Sequence, residues 1–247
     1  MNSIILCEGS TDYVLLQYYM RKACCWNDDS QIQNNVLKMS RQKSRKLIKN
    51  SDYLTIMAVG GSHKLISGLE KVLEKNILSS PDLFEVYHKI VIVTDNDDCH
   101  VEKNMINDIE NLFKDYNVSY ESYLSNNSWI ECTMTNQIGI TVHFSMLLLI
   151  IPFSENGAME TFLLEAIGKE NMYDKKIIYD CNHFVEEVDP QRRYLNSRRI
   201  MTKAKFDTYF SIRTSAEQFS ERRNILKNIP WERYSNVQTA FKKFSDI

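Results

Sequence analysis

Lys89-Ile-Val-Ile-Val-Thr-Asp-Asn-Asp-Asp98 is the stretch that decides the fold of this 247-residue chain. The five residues from Lys89 to Val93 form a run rich in Ile and Val, which is typical of a strand buried on both faces of a parallel sheet. The run stops at Thr94, and the acidic segment Asp95–Asp98 follows directly. Open α/β sheets bind ligands beyond the carboxyl ends of their strands, so these acids occupy a position typical of a functional site.

Two of these acids have the spacing of metal ligands. In an extended segment Asp95 and Asp97 point to the same side, because side chains alternate along the chain. Two carboxylates on one side repel each other unless a cation lies between them. Hard divalent ions such as Mg2+ prefer oxygen ligands of this kind. The alternative is a surface turn, since Asp and Asn also favour turns.

A third acid follows another predicted strand near the start of the chain. Ser3–Cys7 is a short apolar run, Glu8-Gly-Ser-Thr-Asp12 is a turn, and Tyr13–Met20 has the pattern of a helix. Gly9 permits a tight turn between the strand and the helix. Glu8 therefore lies at the carboxyl end of a strand, where it has no evident structural duty, and we interpret it as a functional residue.

Two further strand-to-helix connections carry residues of interest. Tyr53–Val59 is a predicted strand, and the Gly60–His63 turn that follows either offers backbone N–H groups to a phosphate or is a plain connection. A later strand ends at Ile151-Pro152, and the helix after it carries Glu160 in its first turn. Glu160 either complements the helix dipole or adds a fourth carboxylate to the same edge of the sheet.

Strands alternate with helices from residue 3 to about residue 167, which predicts an α/β fold with a mostly parallel, doubly wound sheet. After Cys181 the pattern becomes wholly helical, with one helix predicted to begin near Phe184 and others predicted over 203–210, 215–228 and 234–244. We therefore predict a domain over residues 1–180, with an insertion at 126–145 whose polar part, 126–139, forms a hairpin, and a helical basic C-terminal extension over 181–247. Residues 27–50 are polar and are interpreted as a helix or a loop.

The charges are distributed unevenly, although the formal net charge is only -2. Residues 190–247 contain 13 Lys or Arg against 5 Asp or Glu. This asymmetry is typical of an acidic catalytic centre beside a basic surface for a polyanion, or else of a helical tail with a solvated basic face. The residues predicted to contact nucleic acid are Arg41, Lys43, Arg45, Lys46, Arg198 and Arg199.

The six cysteines are scattered without a CxxC pair, which favours reduced thiols in a cytosolic protein. The N-terminus lacks the pattern of a signal peptide. The longest apolar run, Met146 to Phe153, is far too short to cross a bilayer. We therefore predict a cytoplasmic protein that has no membrane partner.

The order of these motifs resembles the Toprim domain, which topoisomerases, bacterial primases, recombination-repair proteins and the overcoming-lysogenization-defect (OLD) nucleases share. The resemblance covers roughly residues 1–167. It depends on strand-Glu8-Gly-helix, strand-Gly60-Gly61-helix and strand-Asp95-x-Asp97-helix, in that order. It implies that Glu8, Asp95 and Asp97 bind Mg2+ (or Mn2+) near the phosphates of a nucleic acid.

The later part of the chain is similar to small stand-alone Toprim-like proteins and to the Toprim effectors of phage-defence systems. Ile151-Pro152, Gly157 and Glu160 match their pattern of Pro, Gly and helical Glu, which implies that Glu160 contributes to a second metal ion. A lysine downstream supports the charge on the cleaved phosphate in OLD-like nucleases. Lys203 or Lys205 corresponds to it, and Lys203 is the preferred match.

This resemblance implies a Mg2+-dependent endonuclease that acts on DNA or RNA as the effector of a bacterial anti-phage system. The chain shows no ATPase module, so a partner ATPase would be a separate chain, and a homo-oligomer stays open. Topoisomerase and primase functions are disfavoured, because neither a zinc ribbon nor an identifiable nucleophilic tyrosine is present. The alternatives are a non-catalytic Toprim-fold protein that binds nucleic acid or a partner, and phosphoryl or nucleotidyl transfer to a small molecule.

Overall fold

The computed structural model describes residues 1–29, 37, 43–79, 86–153, 155–214 and 226–247, which form one mixed β-sheet with helices on both faces. The strands are β1 (Asn2–Cys7), β2 (Asn27–Asp28), β3 (Lys43–Lys49), β4 (Asp52–Ala58), β5 (Tyr87–Asp95), β6 (Ser119–Tyr120), β7 (Ser128–Thr135) and β8 (Thr141–Ile151). The helices are α1 (Ser10–Lys22), α2 (Leu65–Leu78), α3 (Val101–Asp115), α4 (Met159–Glu170), α5 (Met172–Glu187), α6 (Arg198–Arg213) and α7 (Ser235–Ala240). Short 3-10 turns lie at Ser62–Lys64, Trp231–Arg233 and Lys242–Asp246.

The strand order of the sheet is β2-β3-β4-β1-β5-β8-β7-β6. The four central strands, β4, β1, β5 and β8, are parallel to one another. The strands on either side of them pair antiparallel. The predicted α/β fold with a parallel central sheet is confirmed, and the antiparallel edges are a feature that the sequence did not predict.

The central strands are buried on both faces because their apolar residues alternate between two helical layers. In β1, Ile5 and Cys7 pack with α1 and α4, whereas Ile4 and Leu6 pack with α2 and α3. Strand β5 divides its Ile and Val residues in the same way. This arrangement accounts for the continuous apolar run in the sequence.

The C-terminal helices belong to the same core as the first strand. Phe206 of α6, Trp231 and Phe241 are all buried in the cluster that also contains Ile5. The ring of Phe241 contacts that of Tyr19 on α1 edge-to-face, with 4.9 Å between centroids. The boundary predicted between residues 180 and 181 falls inside α5, so the described C-terminal helices form one core with the sheet.

Three segments differ from the sequence-based prediction. Residues 126–145 were predicted as an insertion, but they form β7 and the start of β8 in the main sheet. The described part of residues 27–50 forms β2 and β3 instead of a helix or loop, because Lys43–Lys49 pairs along the edge of β4. A helix was predicted to begin near Phe184, whereas α5 ends at Glu187. Most of the helix predicted over 215–228 lies outside the described residues.

Across the part of the chain that the structure describes, no helix is both long and apolar enough to span a bilayer. The longest helices among the described residues, α5 and α6, have 16 residues each. Charged residues recur along both of them, because each buries one side and exposes the other.

Candidate functional site

The carboxyl ends of β1 and β5 lie side by side and bring two predicted site residues together. The strands are parallel neighbours, with Cys7 paired to Val93. Glu8 directly follows β1, and its Oε1 accepts hydrogen bonds from the Asp95 amide, at 3.0 Å, and from the Thr94 hydroxyl. These contacts hold Glu8 against the end of β5, as the positions of the two motifs predict.

The N-terminus of α4 closes the site from the adjacent strand β8. The Asp95 Oδ1 accepts a hydrogen bond from the Met159 amide at 2.9 Å, at the first turn of α4. The loop before this helix is fixed by Asn96, whose amide donates to the Ile151 carbonyl and whose carbonyl accepts from Gly157, both at 2.8 Å. Asp95 therefore connects the end of β5 with a helix N-terminus, which favours a negative charge.

Two more carboxylates complete an acidic cluster. Glu160, in the first turn of α4, accepts a hydrogen bond of 3.0 Å from the Thr11 hydroxyl of α1. Asp12 accepts one of 2.9 Å from the Gly9 amide, an interaction that caps α1. Only 5% of Glu160 and 6% of Asp12 are exposed. The first turns of α1 and α4 thus supply buried acids beside Glu8 and Asp95.

The shared burial and charge of this cluster alter its protonation. Burial raises the pKa of Asp12 to about 7, and the charges of Glu160 and Glu8 add to the effect. The pKa of Asp95 is also raised well above its ordinary value, by burial first and then by the charges of Asp12 and Glu8. A concentration of buried like charges of this kind is characteristic of functional sites.

The Gly60-Gly61 turn supports Glu8. The amides of Gly60 and Gly61 each donate to the Glu8 carbonyl, at 3.0 Å in both cases. Their φ angles of +91° and +133° lie in the region that favours glycine. Because both amides are engaged by the backbone, the turn is a strand-to-helix connection that fixes Glu8, the plainer of its two interpretations.

The acidic cluster opens into a cleft of about 430 Å³ whose lining also includes basic residues. Hereafter it is called the acidic cleft. The acids that line it are Glu8, Asp12, Asp95, Asp97 and Glu160, and the basic residues are Lys43, Arg198, Arg199 and Lys203, together with His63. Asp97 is exposed at the rim, whereas the side chain of Asp98 caps the backbone amide of His100.

The structure distinguishes the two lysines of α6. Lys203 lines the acidic cleft. Lys205 instead forms an ion pair with Glu186 of α5 at 2.5 Å and does not line that cleft. Side chains two positions apart in a helix point in different directions, so only one of these two lysines faces the acids.

The basic residues predicted near β3 are divided in the same way. Lys43 lines the acidic cleft. Arg45 pairs with Asp28 of β2 at 3.0 Å, and Lys46 lies over the ring of Tyr53 at 4.1 Å. Arg41 lies outside the described residues. The structure thus brings Lys43, Arg198 and Arg199 to the acidic cleft, whereas Arg45 and Lys46 make contacts within the sheet edge.

The donor atoms of the acidic cleft fit a hard divalent cation, since they are carboxylate oxygens whose mutual repulsion a cation would relieve. Among the described residues, no three Asp, Glu, His or Cys side chains are already arranged to hold an ion together. Binding would therefore require side chains to turn toward a common point, and Asp97 has the freedom to do so because it is exposed. Glu8, Asp95, Asp97 and Glu160 are the residues that would hold the ion.

A family model described as "Protein of unknown function (DUF3226)" matches residues 2–244. The chain belongs to the DUF3226 family. The match extends from β1 to the 3-10 turn that follows α7, so this DUF3226 chain includes the helices beyond the sheet as well as the acidic cleft.

This DUF3226 chain also resembles a solved structure. A hypothetical protein from Pyrococcus horikoshii OT3, PH0156, has a TM-score of 0.50 and 13% sequence identity, with 94% of this chain and 97% of that chain covered. At that identity the similarity shows the fold alone. No curated protein matches the sequence.

The sequence pattern placed Asp12 at the end of the turn that follows β1, and Asp12 was not predicted to belong to the site. Asp12 lies four residues after Glu8, in the first turn of α1, and this spacing from Glu8 could have identified it. Thr11 and Thr94 were also missed, although their hydroxyls hold Glu160 and Glu8. Nothing in the sequence marks those two threonines, because their partners lie 149 and 86 residues away.

Replacing Asp12 with asparagine should stabilise the protein at high pH. The pKa of Asp12 is about 7 in the folded state and about 3.9 in the unfolded state. The folded state therefore binds the proton more tightly, and the stability gained from protonated Asp12 is lost as the pH rises from about 4 through 7. Asp12→Asn keeps an acceptor for Gly9 but carries no charge. We expect its free energy of unfolding in urea to be close to that of the wild type at pH 4 and to exceed it by about 4 kcal/mol at pH 8.

The matched control for this experiment is Asp108→Asn, because Asp108 is exposed on α3. Its free energy of unfolding should stay within about 0.5 kcal/mol of the wild-type value, as is usual for an exposed position. If Asp12→Asn were less stable than the wild type at pH 8, the repulsion attributed to the acidic cluster would be wrong.

Proposed function

We propose that this protein is a Mg2+- or Mn2+-dependent phosphodiester hydrolase that acts on nucleic acid. The observation that carries the proposal is the lining of one cleft, in which acids that follow β1, end β5 and occupy the first turns of α1 and α4 lie together with basic residues on β3 and α6. Acids of this kind supply oxygen ligands for a cation, and the facing basic residues match the charge of a phosphate backbone.

Each part of the cleft has a chemical role in this proposal. When bound, a divalent cation would polarise a phosphate oxygen and lower the pKa of a water molecule. Glu8 and Asp95 are already positioned by hydrogen bonds from the backbone, so they need little reorganisation to bind the ion. Lys203 would donate to the phosphate oxygens as charge develops, and Arg198 and Arg199 would hold the backbone.

The finer features of the proposal depend on the resemblance to Toprim proteins. Glu8, Asp95 and Asp97 lie at positions that match the family motifs, and Glu160 follows in the order seen in stand-alone Toprim-like effectors. On this basis we propose a cytoplasmic anti-phage nuclease that acts with a partner ATPase on a separate chain. The substrate is DNA or RNA.

The proposal is tested by incubating the purified protein with supercoiled plasmid, linear DNA and single-stranded RNA in Mg2+, Mn2+ or EDTA. The same substrates are tested with an ATPase encoded beside the gene, if one is present. We expect cleavage that requires the metal. Complete absence of cleavage in every combination would refute the proposal.

The two lysines of α6 provide a matched pair of variants. We expect Lys203→Ala to reduce metal-dependent cleavage about tenfold to a hundredfold, since it removes a donor from the acidic cleft. Lys205→Ala should retain nearly full activity, because Lys205 pairs with Glu186. Initial rates at saturating substrate measure both effects. A larger loss in Lys205→Ala would contradict the assignment of Lys203.

A second candidate function is a non-catalytic binding protein for nucleic acid or a partner. The observation that favours it is that no three described acids are arranged to share an ion. Calorimetric titration with Mg2+ of the wild type and of Asp97→Ala distinguishes the two functions. The nuclease requires metal binding that weakens in Asp97→Ala, whereas the binding protein retains salt-sensitive nucleic-acid affinity after loss of Asp95 and Asp97.

A further inference from the structure

A second cleft lies between α4, α5 and α6, beside the acidic cleft. Its volume of about 580 Å³ is within the range of small-molecule sites. Each helix contributes one apolar residue to its lining, namely Leu164, Ile178 and Met201. Glu8 and Asp95 do not line it. Hereafter it is called the helical cleft.

Basic side chains surround the helical cleft. Lys169 at the end of α4, Lys175 on α5 and Arg198 at the start of α6 all line it. None of the three forms an ion pair with another described residue. Two acids, Glu155 and Glu165, line it as well, but the basic residues outnumber them. The net positive charge indicates a ligand that carries negative charge.

One face of α5 adds groups that suit a flat, polar ring. Four residues at helical spacing lie along this face and line the cleft, namely Lys175, Ile178, Tyr179 and Asn182. Tyr179 is 69% exposed, and its ring stacks on His183 with 6.4 Å between centroids. An aromatic ring held in this way offers its open face for stacking.

Asn182 supplies a polar group at the lining of the helical cleft. Its Oδ1 atom is shielded from solvent and has no hydrogen-bond partner among the described residues. A rotation of this partly buried side chain would bring the atom to a donor on a ligand and recover the free energy that an unpaired acceptor costs. A carboxamide presents an acceptor and donors side by side, and this pattern complements the edge of a nucleobase.

We propose that the helical cleft binds a nucleoside phosphate. The base would lie against Tyr179 and the apolar lining, with its polar edge at Asn182. The phosphates would reach Lys169 and Lys175. A simple inorganic anion would leave the apolar lining unused, and a fatty acid would leave the amide of Asn182 without a partner, so neither matches the cleft as well.

Calorimetric titration of the full chain with ADP in EDTA tests this proposal without any need for metal or cleavage. We expect one ADP per chain, with adenosine and pyrophosphate each binding at least about tenfold more weakly. The double variant Lys169→Ala/Lys175→Ala should lose at least about tenfold in affinity, and Tyr179→Ala should also bind more weakly. Lys176→Ala is the matched control, because Lys176 is exposed on α5 and does not line the cleft.

Arg198 and Thr202 line both clefts, so variants of these two residues could not show which cleft binds ADP. The variants used to locate the ADP site therefore change residues that line only one of the two clefts. Asp95→Asn and Lys203→Ala should leave ADP binding unchanged. The proposal is overturned if ADP does not bind, if pyrophosphate binds as tightly as ADP, or if these two variants rather than those of Lys169 and Lys175 abolish binding. Because the titration contains no metal, its result is independent of whether the protein cleaves nucleic acid.

Discussion

Glu8→Gln should reduce metal-dependent cleavage about a thousandfold while the protein stays folded. Removing one group that stabilises charge in a preorganised site typically costs about a hundredfold to a thousandfold in rate. We expect a loss of activity at the upper end of this range for two reasons. Glu8 is itself a proposed metal ligand, and it also accepts a hydrogen bond from the amide of Asp95, another proposed ligand. The amide oxygen of glutamine can still accept the hydrogen bonds from Asp95 and Thr94, so the loss would report chemistry.

The matched control is Asp98→Asn, three residues from Asp95. Asp98 caps the amide of His100 at 2.7 Å and does not line the acidic cleft. Cleavage rates measured across a series of Mg2+ concentrations should show nearly full activity for this variant. If Glu8→Gln cleaved at the wild-type rate, Glu8 would not be part of the active site, and the proposed mechanism would be wrong.

Phe241→Ala should lower the free energy of unfolding by about 3–5 kcal/mol, the usual cost of truncating a buried phenylalanine. Phe241 is 1% exposed and packs against Tyr19, Phe162 and Phe244. Since domains are stable by only about 5–15 kcal/mol, the loss is a large fraction of the total. Urea unfolding, followed by circular dichroism, measures it.

Phe184→Ala is the matched control for this core substitution. Phe184 is 56% exposed on α5, so its removal should change the free energy of unfolding by less than about 1 kcal/mol. If Phe241→Ala were as mild as Phe184→Ala, the residues after α6 would not be an integral part of the core.

The meeting of Glu8 and Asp95 could be predicted from the sequence because it follows from topology. Both residues end strands with continuous apolar runs, and the carboxyl ends of neighbouring parallel strands lie at one edge of the sheet. The contact itself, from the Asp95 amide to the Glu8 carboxylate, needs no information beyond that register. Local patterns were therefore sufficient for the centre of the site.

The walls of the acidic cleft could not be predicted, because they depend on how helices pack. Lys203 and Lys205 have nearly the same neighbours in sequence, and only the burial of Phe206 and Phe210 decides which lysine turns toward the acids. The place of β7 in the main sheet was missed for a related reason. Its inner residues, such as Ile130, alternate with outer polar ones, and that pattern resembles an irregular polar segment until β8 is seen beside it.

The arrangement of the core also has a consequence for synthesis on the ribosome. Ile5 is made long before Phe206, Trp231 and Phe241, yet the face of the sheet to which it belongs is covered partly by these later residues. At about 5–20 residues per second, roughly ten seconds or more separate the translation of Ile5 from that of Phe241. During that interval the nascent chain exposes an apolar surface, so we expect it to depend on chaperones that bind unfinished chains.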